Sequence, residues 1–165
     1  MPEVCELTPA DARELRDLYD HYEWFADREV EALRRALANT EIALGLADDG
    51  ELVAAARVLT DYVYYAKVYD VVVAVDRRGE GLGRELVAAV RDHPDLADCR
   101  GLSLLCRDGL VPFYETVGFE RFDPEMGVPE GGTEELVRMT LEFEEDDGIG
   151  AGGSDSTERV STERH

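Results

Sequence analysis

Residues 71–84 of the chain are VVVAVDRRGEGLGR, and this stretch decides the fold. Its apolar first part suits a strand that is covered on both faces. Glycines follow at positions 79, 81 and 83, and from Leu82 to Val90 apolar residues recur at helical spacing. A buried strand, a glycine-rich turn and a helix, in this order, predict a place where bare backbone N–H groups and a helix N-terminus could hold an anion.

Two interpretations of this turn remain open on its residues alone. No Gly-Lys-Ser/Thr follows it, so it is not a Walker phosphate loop, and Leu86 stands where a dinucleotide-binding fingerprint has its third glycine. The turn is therefore either a cradle for a diphosphate or a glycine-rich connection without a ligand.

The flanking patterns predict one α+β domain (α/β by looser criteria) at 1–145 and a disordered, acidic and glycine-rich tail at 146–165. Helices are expected after the capping residue Thr8, from Asp27 to Asn39, and from Pro112 to Val117. Strands are expected at Glu3–Leu7, Ile42–Leu44, Leu52–Leu59, Tyr62–Val75, Leu102–Cys106, Phe119–Phe122 and Leu136–Phe143.

The charge of the chain excludes several classes of partner. Its 165 residues include 38 acidic and 17 basic ones, for a formal net charge of -21. Such a field repels phosphate backbones and anionic lipids, so we expect no nucleic-acid partner and no membrane surface. Lys67 is the only lysine, and this composition resembles that of proteins from salt-loving microbes.

Other classes are excluded by what the sequence lacks. No apolar run approaches the roughly 18 residues of a membrane span, and the acidic N-terminus does not resemble a signal peptide. Three cysteines without metal-site spacing suggest neither a disulfide framework nor a zinc site. We therefore expect a soluble cytoplasmic protein without a metal.

Two segments carry a resemblance to a known family. Residues 78–83, RGEGLG, are similar to the Arg/Gln-x-x-Gly-x-Gly/Ala signature of the GCN5-related N-acetyltransferase (GNAT) superfamily. Residues 113–119, FYETVGF, resemble its Tyr-x-x-x-Gly-Phe segment. The likeness runs from about Ala54 to Phe119, and residues 56–61 and 69–71 resemble an uncharacterised bacterial and archaeal subgroup of the family. It implies the GNAT fold, a mixed and mostly antiparallel sheet that is splayed between its fourth and fifth strands and flanked by helices.

The resemblance implies acetyl-CoA as co-substrate, bound where the fourth strand (67–75) diverges from the fifth (102–106). The pantetheine would pair with the backbone of Val71, Val72 and Val73, in effect adding a strand to an open edge. The pyrophosphate would lie on the loop and the first turn of the helix, at Arg78, Gly79, Glu80, Gly81, Leu82, Gly83 and Arg84.

The same resemblance implies direct attack of an amine on the thioester. Tyr114 matches the family tyrosine that protonates the leaving thiolate, and this role is favoured over the alternative of a packed helix residue. The general base stays open between Asp70 and Asp61. Each has a structural alternative, because Asp70 could tie strands together and Asp61 could cap a turn.

The acceptor is expected to be a primary amine, with a small molecule favoured over a peptide amine. Rival functions are a non-catalytic acyl-CoA-binding regulator and a protein N-terminal or lysine acetyltransferase. Because the family commonly forms dimers, a homodimer is one expectation. An aromatic, acid-rimmed pocket for a cationic amine is predicted from Tyr19, Tyr22, Trp24, Phe25, Tyr62, Tyr64 and Tyr65, about half of which would be ordinary core.

The acidic composition predicts a fold that is weakened in low salt. Carboxylates at this density repel one another, and dissolved salt screens the repulsion. We expect the melting temperature to rise between dilute buffer and molar KCl. An unchanged melting temperature in a thermal scan would contradict this.

Overall fold

The computed structural model describes residues 1–144, and the predicted tail at 146–165 lies outside them. The chain divides into two compact units, of which the first contains Met1–Phe119 and the second begins at Glu120. Each is described by itself. No helix within residues 1–144 is long and apolar enough to cross a membrane.

The first unit is built on a four-stranded antiparallel sheet whose strands lie side by side in chain order. The helix start predicted at Thr8 is confirmed, since Thr8 and Asp11 form a reciprocal capping box. The elements are β1 (Glu3–Glu6), α1 (Ala12–Tyr19), α2 (Val30–Ala38), β2 (Ile42–Asp48), β3 (Glu51–Thr60), β4 (Ala66–Val73), α3 (Leu82–Arg91) and α4 (Val111–Glu115).

Helices cover both faces of this sheet, which confirms the α+β class. On one face, Leu15 of α1 and Leu37 of α2 are buried with Ala55 and Val72 of the sheet. On the other face, Leu86 and other apolar residues of α3 are buried with β2, β3 and the first half of β4. The sheet is thus the middle layer of three.

A β-bulge in β4 changes the face to which the strand's side chains point. Tyr69 pairs with Arg57 and Val72 with Ala55, so Asp70 and Val71 together oppose a single residue of β3. Asp70 has a φ of 56°, in the left-handed region that residues other than glycine seldom adopt.

The predicted fifth strand, Leu102–Cys106, does not form a regular strand, so that prediction is wrong. The segment does lie beside β4, as expected. Ser103 forms one parallel bridge with Lys67, through hydrogen bonds of 2.9 Å from Val68 N to Ser103 O and 3.0 Å from Ser103 N to Ala66 O. Beyond this bridge no backbone hydrogen bond joins β4 to residues 104–106 in the described structure. Because the two main chains separate there, the segment lacks the ladder that would make it a strand, and the expected slot between them is present.

The described part of the second unit forms a small hairpin. Its strands are β5 (Glu125–Gly127) and β6 (Thr133–Glu135), and the turn between them contains Gly131 and Gly132 at φ of 93° and 91°. The predicted strands Phe119–Phe122 and Leu136–Phe143 are therefore wrong. The turn at Gly131 and Gly132 sets which residues of the hairpin pair. Residues 125–127 pair with residues 133–135, and the pairing does not extend to the predicted strands.

Candidate functional site

A cavity of about 740 Å³ opens where β4 and the 102–106 segment diverge. Its walls come from the second half of β4, the glycine turn, the first turn of α3, α4 and the loop after α1. Its size lies within the range of small-molecule sites. Among the residues that line it are Tyr22, Trp24, Val71, Val73, Arg78, Gly81, Arg84, Arg107, Phe113 and Tyr114.

The glycine turn presents unbonded amides to this cavity. Gly79 and Gly81 have φ of 81° and 82°, which a residue with a Cβ would adopt only under strain. The first amide of α3 to bond backward along the chain is that of Glu85, to Gly81 O at 3.1 Å. In the described structure no amide of residues 79–84 donates a hydrogen bond, so these N–H groups and the helix dipole are available to an anion.

The charge of the cavity is opposite to that of the chain. Four of its lining residues are arginines, and none of the described lining residues is an aspartate or glutamate. Arg77 is neutralised by Asp48 and Glu80, with nitrogen–oxygen distances of 2.8 Å to each. The acidic rim expected from the sequence is thus absent from the lining, and an anion fits this cavity better than a cation does.

The predicted cofactor residues fall into two groups. Val71, Val73, Arg78, Gly79, Gly81, Leu82, Gly83 and Arg84 all line the cavity. Val72 instead packs on the opposite face of the sheet, 2% exposed, and the Glu80 carboxylate is held by Arg77. Any contact of these two with a ligand would therefore come from their backbone, as the prediction for the pantetheine and pyrophosphate requires.

One tyrosine, Tyr22, connects the loop after α1 to the residues beside the glycine turn. The hydroxyl of Tyr22 donates to Val73 O at 2.5 Å and accepts from Arg78 Nη2 at 2.9 Å. The guanidinium of Arg78 also lies 5.2 Å from the centre of the Tyr22 ring. These contacts place the aromatic residues of the loop beside the glycine turn.

Tyr114 lies in the cavity wall, 5% exposed, between the rings of Phe113 and Phe119. Burial raises the pKa of Tyr114 to about 12, the nearby Cys106 adds to the rise, and the positive charge of Arg107 opposes it. The phenol is therefore neutral throughout the physiological range and available as a hydrogen-bond donor.

These residues fit acetyl-CoA. Bare amides and arginines suit its phosphates, the free edge of β4 suits an extended amide chain, and the apolar wall with Tyr114 suits a thioester. Within residues 1–144 no group of three or more His, Cys, Asp or Glu side chains is placed to hold a metal ion.

Asp70 lies outside this lining, as the centre of a buried ion network. Arg28 and Arg57 each donate to its Oδ2 at 2.7 Å, and the carboxylate is 3% exposed. Burial raises the pKa of Asp70, but the hydrogen bonds and charges of the two arginines outweigh it and leave the pKa below its usual value. A carboxylate held in this way is a poor proton acceptor, so the placement favours the structural alternative, and its role as base stays a prediction.

The placement of Asp61 also favours its structural alternative, which is to cap a turn. Its Oδ1 accepts from the amides of Val63, Tyr64 and Tyr65 at 3.0, 2.8 and 2.9 Å, which lowers its pKa and caps the β3–β4 turn. The three turn tyrosines, Tyr62, Tyr64 and Tyr65, are exposed and do not line the cavity.

Sequence reasoning missed Arg107 and the two partners of Asp70. Arg107 directly follows the predicted buried strand, and that polar residue at a strand end was the available signal. Arg28 and Arg57 had no comparable signal, because 42 and 13 positions separate them from Asp70.

The chain was compared with protein-family models and with solved structures. The Acetyltransferase (GNAT) domain model matches residues 11–142. A GNAT-family protein of known structure from Xanthomonas campestris is 33% identical, with a TM-score of 0.61, over 73% of this chain and 87% of that one.

Two curated plant proteins are also similar. Serotonin N-acetyltransferase 2 of rice is 37% identical over 111 residues, which are 61% of this chain and 52% of that protein. Histone acetyltransferase TAP1 of soybean is 29% identical over 126 residues, 70% of this chain and 54% of that protein. The chain thus spans about half the length of these curated relatives.

The ion network predicts a large stability loss for Asp70→Asn. The variant removes the buried negative charge that the part-buried Arg28 and Arg57 share, and we expect the free energy of unfolding to fall by about 3 kcal/mol. Asp92→Asn, which removes an exposed pair with Arg91, is the matched control and should not shift the midpoint of urea denaturation. Equal midpoints for both variants would contradict the network's role.

The two least exposed tyrosines, Tyr19 and Tyr114, predict an alkaline loss of stability. The pKa values of Tyr19 and Tyr114 are raised to about 12 by burial, whereas the unfolded chain titrates near 10. Stability is therefore complete below pH 10 and falls as pH rises toward 12, by about 2–3 kcal/mol per group. In a spectrophotometric titration, Tyr19 and Tyr114 should ionise in a late phase near pH 12, and Tyr114→Phe should reduce the amplitude of that phase by about half. A titration without a late phase would be inconsistent with this.

Proposed function

Because this chain belongs to the acetyltransferase (GNAT) domain family, a family of acyltransferase enzymes, we propose that it moves an acetyl group from acetyl-CoA to a primary amine. The observation that carries the proposal is the slot beside β4, with a free main-chain edge on one wall and the unbonded amides of residues 79–84 at its end. This arrangement matches an extended thioester that ends in phosphates.

Acetyl-CoA supplies an activated acyl group and a thiolate leaving group. The backbone N–H groups on the free edge of β4 would polarise the thioester carbonyl, as donors in an oxyanion hole do. The neutral amine attacks that carbon, the new C–N bond forms, and the C–S bond breaks as the sulfur takes up a proton. The proton that leaves the nitrogen passes to solvent.

Tyr114 would supply the proton to the sulfur. A phenol of pKa about 12 is a weaker acid than an ordinary thiol of pKa about 8.5. Complete transfer of the proton from Tyr114 to the sulfur is therefore favourable only once negative charge has accumulated on the sulfur. The sulfur lies against the same apolar wall, and burial there raises the pKa of the thiol as well. Tyr114 accordingly stabilises the developing thiolate first, yields its proton to the sulfur as the C–S bond breaks, and regains a proton from solvent.

A small-molecule acceptor is favoured over a protein. Tyr22 and Trp24 of the loop after α1 line the cavity, and the Tyr22 hydroxyl ties that loop to Arg78 and Val73. A loop fixed across the slot leaves less room for a peptide chain. The likeness to a soybean histone acetyltransferase supports a lysine acceptor as the second candidate, and assays with small amines and with lysine peptides separate the two.

The sequence supports further proposals about this protein. Salt adaptation, a cytoplasmic location and a homodimer rest on composition and on the resemblance, and Asp70 as base competes with transfer of the amine's proton to water. A non-catalytic acyl-CoA-binding protein would show CoA binding in calorimetry and no thiol release with any amine.

Tyr114→Phe tests the proposed chemistry. We expect kcat to fall by about a hundredfold, as loss of an acid catalyst does, while the Kd of acetyl-CoA stays within about twofold, because the ring and its packing remain. Tyr19→Phe is the matched control, since Tyr19 is equally buried and lies outside the cavity lining. Thiol release and calorimetry are the readouts.

Unaltered turnover of Tyr114→Phe across the pH range would remove the acid role. An equal loss in Tyr19→Phe would mark the effect as structural.

A further inference from the structure

A pair of side chains in the cavity wall has no part in the chemistry described so far. The guanidinium of Arg107 lies 5.6 Å from the centre of the Trp24 ring, and both residues line the cavity. Trp24 comes from the loop after α1 and Arg107 from the segment before α4, so the pair joins two separate walls. The inference about this pair rests on the proposed function, because the ligand in question is the amine acceptor.

Arg107 is an unneutralised cation of this cavity. Within residues 1–144 no carboxylate forms a salt bridge with it, whereas Arg77 in the same lining has two acidic partners. The cation–π contact with the Trp24 ring does not use the N–H groups of the guanidinium as hydrogen-bond donors. A guanidinium can donate to both oxygens of a carboxylate at once.

Trp24 adds a second donor at the same place. Its Nε1 is buried and has no hydrogen-bond partner in the described structure. A buried donor without an acceptor is costly, by about 1–3 kcal/mol, unless a ligand oxygen satisfies it. Arg107 and Trp24, which form a cation–π pair, thus make a corner of the cavity wall that carries unsatisfied hydrogen-bond donors.

This corner lies beside the reacting centre. Arg107 lies on the segment that leads into α4, Tyr114 lies on α4, and both line this cavity. Two other arginines of the lining, Arg78 and Arg84, flank the glycine turn at residues 79–83. The cavity therefore has one cationic region at the turn and a second near the proposed proton donor.

We propose that the acceptor is an amine that also carries a carboxylate, such as an amino acid, and that Arg107 and Trp24 are the residues that select it. Arg107 would bind both carboxylate oxygens and Trp24 Nε1 would donate to one of them. The amine of the same molecule is then held next to the thioester carbonyl.

The same charge pattern accounts for how the amine loses its proton. No acidic side chain of the described lining is available as a base. Arginines around an ammonium group disfavour its charged form, so the neutral, attacking amine is more populated in the cavity than in water. A carboxylate on the acceptor offsets the repulsion that a simple cationic amine would meet there.

Matched acceptors that differ only in the carboxylate test the proposal. Three such pairs are 5-hydroxytryptophan and serotonin, phenylalanine and phenethylamine, and lysine and cadaverine. We would measure kcat/KM for each pair with the wild-type protein, Arg107→Gln, Trp24→Phe and Arg34→Gln. Arg34 is an exposed arginine on α2 outside the lining and serves as the matched control.

We expect the wild-type protein to prefer the carboxylate member of at least one pair by about tenfold or more. Arg107→Gln should bring that ratio close to one, Trp24→Phe should lower it in part because the ring remains, and Arg34→Gln should keep the wild-type ratio. A wild-type preference for the amines without a carboxylate in all pairs, or a ratio unaffected by Arg107→Gln, would overturn the proposal.

A phosphate of the cofactor is the other anion that Arg107 could meet. Calorimetry with CoA and with dephospho-CoA separates the two sources. If Arg107→Gln leaves both affinities unchanged, the arginine serves the acceptor. If the variant loses the difference between the two, the arginine serves the cofactor and the proposal fails.

Binding also separates failure of this proposal from failure of the proposed function. If no amine releases thiol, the acetyltransferase function fails, and titration of the three amino acids into the protein–CoA complex still reports on the corner. Binding that depends on Arg107 keeps the carboxylate site. Absence of such binding overturns it.

Discussion

The bulge at Asp70 and Val71 is the constraint on which the rest of the site depends. Val68 and Val72 are four residues apart in one strand, yet they are buried on opposite faces of the sheet, because one extra residue intervenes between them. The bulge therefore turns Val71 and Val73 toward the cavity. The left-handed φ of Asp70 costs free energy, and its bonds to two arginines hold the strand in that shape.

Charge separates the cavity from the rest of the molecule. A chain of net charge -21 concentrates four arginines in one lining without a described acidic residue among them. Two of these cations flank bare amides at the glycine turn, and one stacks on Trp24 near Tyr114. Since a strongly acidic surface repels anions, a local cluster of this kind is what allows an anionic ligand to bind.

The sequence predicted those features that short-range rules determine. Thr8 as a cap and the glycine turn before α3 each follow from residues within a few positions. Features set by distant partners were missed. The ion pairs of Asp70 with arginines and the contact of Trp24 with Arg107 depend on tertiary packing. Residues 102–106 have the sequence pattern of a strand, but most of the segment stays unpaired because it diverges from β4.

Amide hydrogen exchange with and without acetyl-CoA measures the central claim most directly. The amides of residues 79–84 donate no internal hydrogen bond in the described structure, so they should exchange rapidly in the free protein and slowly once phosphate oxygens accept from them. Amides of the β2–β3 ladder, already bonded, should change little. Exchange at 79–84 that is unaffected by saturating acetyl-CoA would contradict binding of the cofactor in the slot beside β4.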